Sequence, residues 1–222
     1  MEVTLIDHMG TDSLVVNAAR VSFSKEAENY TEEQNGKLII YLSKHGHFTP
    51  FTHPTICIRE KVPIFVARQR FKHTVGFTYN EVSRRYVDDA PEFFTPDVWR
   101  SKPEGSMKQG SGSEDVSKNF LLYEPVNFSE YNVEEGYEYF IRIAEDVYKQ
   151  MLKAGVAPEQ ARMVLPQSMY TEYFSTGSLA AYARAYKLRS DSHSQVEIQH
   201  LAAEWDRIIR PLFPVSWSAL VD

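Results

Sequence analysis

The stretch Pro63–Tyr86, PIFVARQRFKHTVGFTYNEVSRRY, decides how this chain is read. Its head, Ile64-Phe65-Val66-Ala67, is apolar, and Pro63 suits a first helical position, where its missing N–H would have no intrahelical partner. The pattern predicts a buried helix continuing through Gln69, Arg70 and Phe71 and broken by Gly76. Its exit carries Arg68, Arg70, Lys72 and His73, and Asn80, Glu81, Ser83, Arg84 and Arg85 follow the break. Guanidinium and ammonium groups at such a helix exit suit phosphates, and Asn80 and Glu81 suit sugar hydroxyls or base edges. A solvated charged loop is the plain alternative on these residues alone.

Working outward, the chain has 222 residues, 43% of them hydrophobic, enough for one domain over 1–222 with its own core or a core completed by a partner. The net charge of −6 places the basic cluster in an acidic protein, which argues against a general nucleic-acid binder. No apolar run reaches membrane-spanning length and no signal-peptide pattern opens the sequence, so no membrane partner is expected. A lone Cys57 leaves no internal disulfide and fits a reducing cytoplasm. The 13 Tyr, 13 Phe and 3 Trp suit a flat ring as ligand, and equally a packed core.

Upstream, Glu2–Asp7 reads as a strand, and Asp12 or Ser13 as the cap of a short helix through Arg20. Thr31 with Gln34 forms a capping box before the stripe Leu38, Ile39 and Leu42, and Gly46 ends that helix. Thr55–Val62 alternates, with Ile56 and Ile58 opposite Thr55, Cys57 and Arg59, as a half-buried strand does. His45, His47, His53 and Cys57 match no standard zinc spacing, and no metal is expected. Downstream, Tyr86–Asp97 reads as strand and loop. Residues 101–117, SKPEGSMKQGSGSEDVS, read as a flexible surface insertion. A long helix is expected over Phe128–Gly155, a strand over Met169–Ser175, a helix capped by Gly177-Ser178, and a last helix ending at Pro211. Few strands and no regular crossovers give an α+β class: mostly helical, with a small antiparallel sheet. Neither standard phosphate-binding glycine loop is present.

A second cluster is Leu188-Arg189-Ser190-Asp191-Ser192-His193-Ser194-Gln195-Val196-Glu197-Ile198. Capping explains part of it: Asp191 can satisfy His193, and Glu197 is a first-turn acid favoured by the helix dipole. Arg189, at the preceding helix end, suits an electrophilic role toward a developing anion.

The two clusters together resemble the flavin-dependent thymidylate synthase family. Its signature, R-H-R-x-x-S-x-N-E-x-S-x-R after P-I-F-V-A-R-Q, is met by Pro63–Gln69 and by Asn80-Glu81-Val82-Ser83-Arg84-Arg85. Ala19–Phe23, Gly46-His47-x-Thr49-Pro50-Phe51-x-His53 and Leu188–Ile198 match in the same order, so the resemblance covers nearly the whole chain. The K-H-T-V-G form of the signature is similar to that of phage-borne relatives. The resemblance implies an intertwined homotetramer with active sites at subunit interfaces. It also implies reductive methylation of dUMP to dTMP, with methylenetetrahydrofolate as carbon donor and FAD, recharged by NADPH, as hydride carrier. No enzyme thiol attacks the pyrimidine in this scheme, which agrees with Cys57 lying between Ile56 and Ile58 in a strand-like run, where a buried residue is expected.

Carried over by position, Arg189 is implied as the catalytic residue that polarises the pyrimidine. Gln69, Arg70, Phe71, Lys72, Glu81, Val82, Ser83, Arg84, Arg85, Arg162 and Arg189 are implied as dUMP contacts. His47, Thr49, Lys72, His73, Thr74, Glu81, Ser178 and Arg184 are implied as FAD contacts. The chain departs from the pattern at Lys72 and Thr74, where the family has arginines, and by one extra residue before Asn80, so that Phe77 or Thr78 stands for the family serine. A cation is thereby lost at the flavin pyrophosphate, and Arg184 would restore it. Two other readings are a nucleotide- or RNA-binding module, which predicts steeply salt-dependent binding without turnover, and a homologue that has lost catalysis.

Overall fold

In the computed structural model, which describes residues 1–86, 89–103, 110–124 and 129–222, the chain folds into two compact units. The first gathers residues 1–61, 68–81 and 172–222, and the second residues 62–67 and 82–171. The class is α+β, as expected, with a four-stranded sheet in the order β1-β2-β6-β3. β1 (Glu2–Met9) pairs antiparallel with β2 (Thr55–Pro63), and β3 (Phe77–Glu81) pairs antiparallel with β6 (Tyr170–Ser178).

In the first unit, α1 (Asp12–Arg20) is capped by Thr11, whose hydroxyl accepts the Ser13 N–H at 3.3 Å, and not by Asp12 or Ser13. Asp12 instead ties two distant segments together. Its carboxylate accepts the Val215 and Ser216 N–H groups, each at 2.9 Å, at the start of α8 (Pro214–Val221). The capping box of α2 (Glu32–Lys44) forms as expected between Thr31 and Gln34, and Gly46 leaves the helix with φ of 70°. β2 buries Ile56, Ile58, Glu60 and Val62 on one side, which is the expected alternation with an acid included. Cys57, on the other side, is half-buried and not fully buried as expected. α6 (Leu179–Arg189) and α7 (Val196–Ile209) supply Leu179, Tyr182, Ile198, Leu201, Trp205 and Ile209 to the core. The last helix expected from the sequence stops at Ile209, and α8 follows it, burying Trp217.

The decisive stretch differs from its reading in two ways. Pro63 ends β2, and α3 covers only Ile64–Arg70. The helix stops six residues before Gly76, because the His73 N–H donates to the Arg70 carbonyl at 3.1 Å in a tight turn. Gly76, at φ of 79°, then turns the chain into β3, a strand the sequence reading did not separate from the polar cluster.

In the second unit, α4 (Val133–Lys153) starts later than expected, at an Asn132–Glu135 capping box. β4 (Phe120–Glu124) and β5 (Ser129–Asn132) form an antiparallel pair, and α5 (Pro158–Ala161) follows α4. Residues 104–109 of the expected flexible insertion lie outside the described residues. On either side of them the Ser101 N–H donates to the Glu114 carbonyl and Arg100 bridges to Asp115.

Candidate active site

Arg70 anchors the first unit. Its guanidinium is fully buried against the equally buried Glu60, with Nε 3.3 and 3.4 Å from the two carboxylate oxygens. Nη1 donates to the Tyr79 hydroxyl and Nη2 to the Ser175 hydroxyl, both at 2.6 Å. Aromatic rings close around it, with Cζ 4.2 Å from the Phe77 centroid and 4.6 Å from that of Trp205. The Trp205 indole N–H donates to Glu60 at 3.0 Å. Burial, the largest single effect, disfavours the guanidinium charge, but Glu60 together with Tyr182, Tyr79 and Tyr173 outweighs it and holds the Arg70 pKa above its ordinary value. The expectation of Arg70 as a dUMP contact is therefore corrected: its side chain is a core strut with no exposed surface. Phe71, edge-on to Tyr79 and Tyr173, joins the same cluster.

This strut reaches the polar exit of α3. Tyr79 Oη, which accepts from Arg70, donates to the His73 carbonyl at 2.7 Å. Burial, first of all, pushes the Tyr79 pKa up to about 12, so the phenol stays protonated. The buried His73 ring meets Arg189 at the end of α6, and Arg189 Nε donates to His73 Nε2 at 2.9 Å. Arg189 Nη2 donates to the Gln69 carbonyl at 3.2 Å, and the Gln69 side-chain amide donates to Gln195 at 2.6 Å. The two sequence clusters thus converge in one unit, although Gln69 and Arg189 lie 120 positions apart. His73 stays neutral: burial first, then the cations Arg189, Arg70 and Arg184, lower its pKa to about 4. In the linker between α6 and α7, Asp191 accepts from the His193 backbone N–H and pairs with its ring, as expected.

The turn after His73 lies against the start of α6. Ser178 caps that helix by accepting the Ala181 N–H at 3.2 Å, and its own N–H donates to the Gly76 carbonyl. A Cβ on Gly76 would stand 3.0 Å from Ala181 Cβ, tighter than ordinary contact, and φ of 79° would strain any other residue there. Exposed Arg184, on α6, donates through Nη2 to the Val75 carbonyl. Lys72 and Thr74 are exposed on the same turn. Of the two candidates for the family serine, Phe77 lies under Arg70 while Thr78 is exposed. Glu81 ends β3, exposed. His47 stacks on Tyr41 just past α2, with centroids 6.2 Å apart, and Thr49 opens the short helical turn Thr49–Thr52.

In the second unit, Ser83 accepts from the Arg85 backbone and Nε at 3.4 and 3.3 Å, and Arg84 donates to the Asp89 carbonyl. Val82 is exposed, and Arg162, also exposed, donates through Nε to the Glu159 carbonyl at 3.3 Å. Among the described residues, no group of three or more His, Cys, Asp or Glu could hold a metal ion, and no helix is long and apolar enough to cross a membrane.

The family model described as "Thymidylate synthase complementing protein" matches residues 4–215. A flavin-dependent thymidylate synthase of Thermosipho africanus is 37% identical over 217 residues, covering 98% of this chain and 89% of the relative. The chain belongs to the flavin-dependent thymidylate synthase family. A second flavin-dependent thymidylate synthase, from Thermus thermophilus, is 35% identical over 98% of this chain and 74% of its own length. Among solved structures, a UMP/dUMP methylase PolB from Streptomyces cacaoi with 5-Br dUMP bound superposes with a TM-score of 0.80. It is 28% identical and covers 98% of this chain and 93% of that one.

For a flavin-dependent thymidylate synthase the residues present fit a dinucleotide. The Gly76 turn packs closely on α6, and exposed Lys72 and Thr74 on that turn, with Arg184 reaching the Val75 carbonyl, offer two cations and a hydroxyl, donors suited to a diphosphate. Arg184 thus brings a cation to the carbonyl of Val75, the residue after Thr74. Sequence reasoning missed Glu60, Tyr79, Ser175 and Trp205, the partners of Arg70. The available signal was Glu60 falling in the inward register of β2, two residues after Ile58.

Proposed function

We propose that this chain catalyses the reductive methylation of dUMP: dUMP, methylenetetrahydrofolate, NADPH and a proton give dTMP, tetrahydrofolate and NADP⁺, with FAD as hydride carrier. Family membership and the dUMP-analogue complex of a structural neighbour support the reading. The observation that carries it is the guanidinium of Arg189 brought into the signature block and held there by His73 and Gln69.

Arg189 uses two of its five N–H donors on those partners, which leaves three for a ligand. Directed at the N3/O4 edge of uracil, they stabilise negative charge there and raise electron density at C5, which attacks the one-carbon unit. Half-burial lowers the Arg189 pKa but also strengthens its field on a bound anion. Gln69, Lys72, Glu81, Val82, Ser83, Arg84, Arg85 and Arg162 orient dUMP, with Arg84 acting through its backbone. His47, Thr49, Lys72, Thr74, Glu81, Ser178 and Arg184 hold the flavin. Bound flavin supplies the hydride that completes the methyl group. Cys57 takes no part. The active form is a homotetramer in the cytoplasm, with its sites at subunit interfaces.

The test is a dTMP assay on purified protein with each of FAD, NADPH and methylenetetrahydrofolate omitted in turn. Product is expected only from the complete mixture, and its absence there refutes the reading. Arg189→Ala is expected to abolish dTMP formation while leaving bound flavin largely intact.

A further inference from the structure

We propose that His73 is a positioning residue for Arg189: its neutral imidazole accepts the Arg189 Nε–H through Nε2 and so fixes the plane of the guanidinium. The proposal rests on the role given above to Arg189. A guanidinium has a side-on pair of donors, Nε with one Nη, and an end-on pair, the two Nη. Here the side-on pair is committed to protein: Nε to His73 and Nη2 to the Gln69 carbonyl. The two acceptors hold the group at two points, and the end-on pair is left for a ligand.

His73 can serve in this way because its own place is fixed. The residue is 8% exposed, its backbone N–H donates to the Arg70 carbonyl at 3.1 Å, and its carbonyl accepts from Tyr79. Tyr79 in turn accepts from Arg70, so the buried Glu60–Arg70 pair supports the histidine through one hydroxyl. The geometry also sets the tautomer. Nε2 must offer its lone pair to Arg189, so the ring proton sits on Nδ1, and a doubly protonated ring would set N–H against N–H. The charged groups bearing on the ring are Arg189 and Arg184 from α6 and Arg70 from α3, all cations that oppose protonation. The flavin contact that the family resemblance assigned to His73 therefore cannot run through Nε2.

The test compares His73→Gln, whose amide oxygen can replace Nε2 as acceptor, with His73→Leu, which has no acceptor. Turnover and dUMP KM are measured on the holoenzyme, alongside ¹⁵N spectra of histidine-labelled wild-type protein. His73→Leu should lose on the order of 10- to 100-fold in kcat, the scale of a misdirected catalytic group, with a smaller change in KM. His73→Gln should recover most of that loss. The spectra should show Nε2 unprotonated at neutral pH, a readout independent of catalysis and of whether the leucine variant folds. Equal impairment of the two variants, or a protonated Nε2, overturns the proposal. Wild-type kcat in His73→Leu, with Arg189→Ala inactive, overturns it while sparing the role of Arg189. Turnover by Arg189→Ala overturns the parent reading, and this one with it.

Discussion

Glu60→Gln removes one charge and almost no volume from the centre of the first unit. Glu60 and Arg70 are both 0% exposed, so the change leaves a guanidinium in the core without its counter-ion. Breaking a buried pair from one side costs about 3–5 kcal/mol. Glutamine still accepts the Trp205 indole N–H, made at 3.0 Å in the native protein, so the hydrogen bond worth roughly 1 kcal/mol survives. The rings around Arg70 also soften the residual charge. The loss should therefore fall near the lower end, about 3 kcal/mol. For a chain of 222 residues this is a fall in Tm of roughly 6–12 °C, at about 2–4 °C per kcal/mol. Thermal melts at one fixed protein concentration read it directly, since association shifts Tm by mass action. Glu60→Leu combined with Arg70→Met removes both charges and should melt above Glu60→Gln. A Glu60→Gln melt within about 1 °C of wild type would refute the strut, and with it the reason Arg70 cannot reach a ligand.

Cys57→Ala should keep wild-type dTMP formation, and a folded but inactive variant would show that the thiol reacts. Arg184→Gln should weaken FAD binding on the order of 10-fold, the value of one charge-assisted contact, as read by flavin titration. Unchanged FAD affinity would remove Arg184 from the diphosphate cradle. His73 also predicts a pH effect on stability. Its pKa falls from 6.5 to about 4 on folding, so between those values the unfolded chain binds the extra proton. Stability is thus lost as pH falls through that window, by about 3 kcal/mol at most, and denaturant titrations of His73→Gln should show a flatter slope there.

The parts of the fold that were legible are those fixed by neighbours in sequence. The Thr31–Gln34 box marks α2 because both partners lie within one turn, and β2 shows its alternation in Ile56 and Ile58. β3 was not legible: Phe77–Glu81 becomes a strand by pairing with Tyr173–Gly177, about a hundred residues on. α8 escaped because an apolar, nearly period-free helix gives no stripe to read. At the candidate site, Arg189 stood out by its setting at a helix end, but its contacts with His73 and Gln69 come only from the tertiary fold. Arg70 was not, because an arginine in a basic run carries no mark of burial until Glu60, Ser175 and Trp205 are known to surround it.

The first unit is drawn from both ends of the chain, and this bears on how it matures during synthesis. Trp205 closes over Glu60 across 145 positions, so a ribosome-bound chain carries the Glu60–Arg70 charges long before their lid has been made. Closing so distant a contact is slow and carries a chain-entropy cost that grows with loop length. The amino-terminal half must wait, unsealed, for the residues of α6 and α7, so emergence of the signature alone does not bring Arg189 to His73.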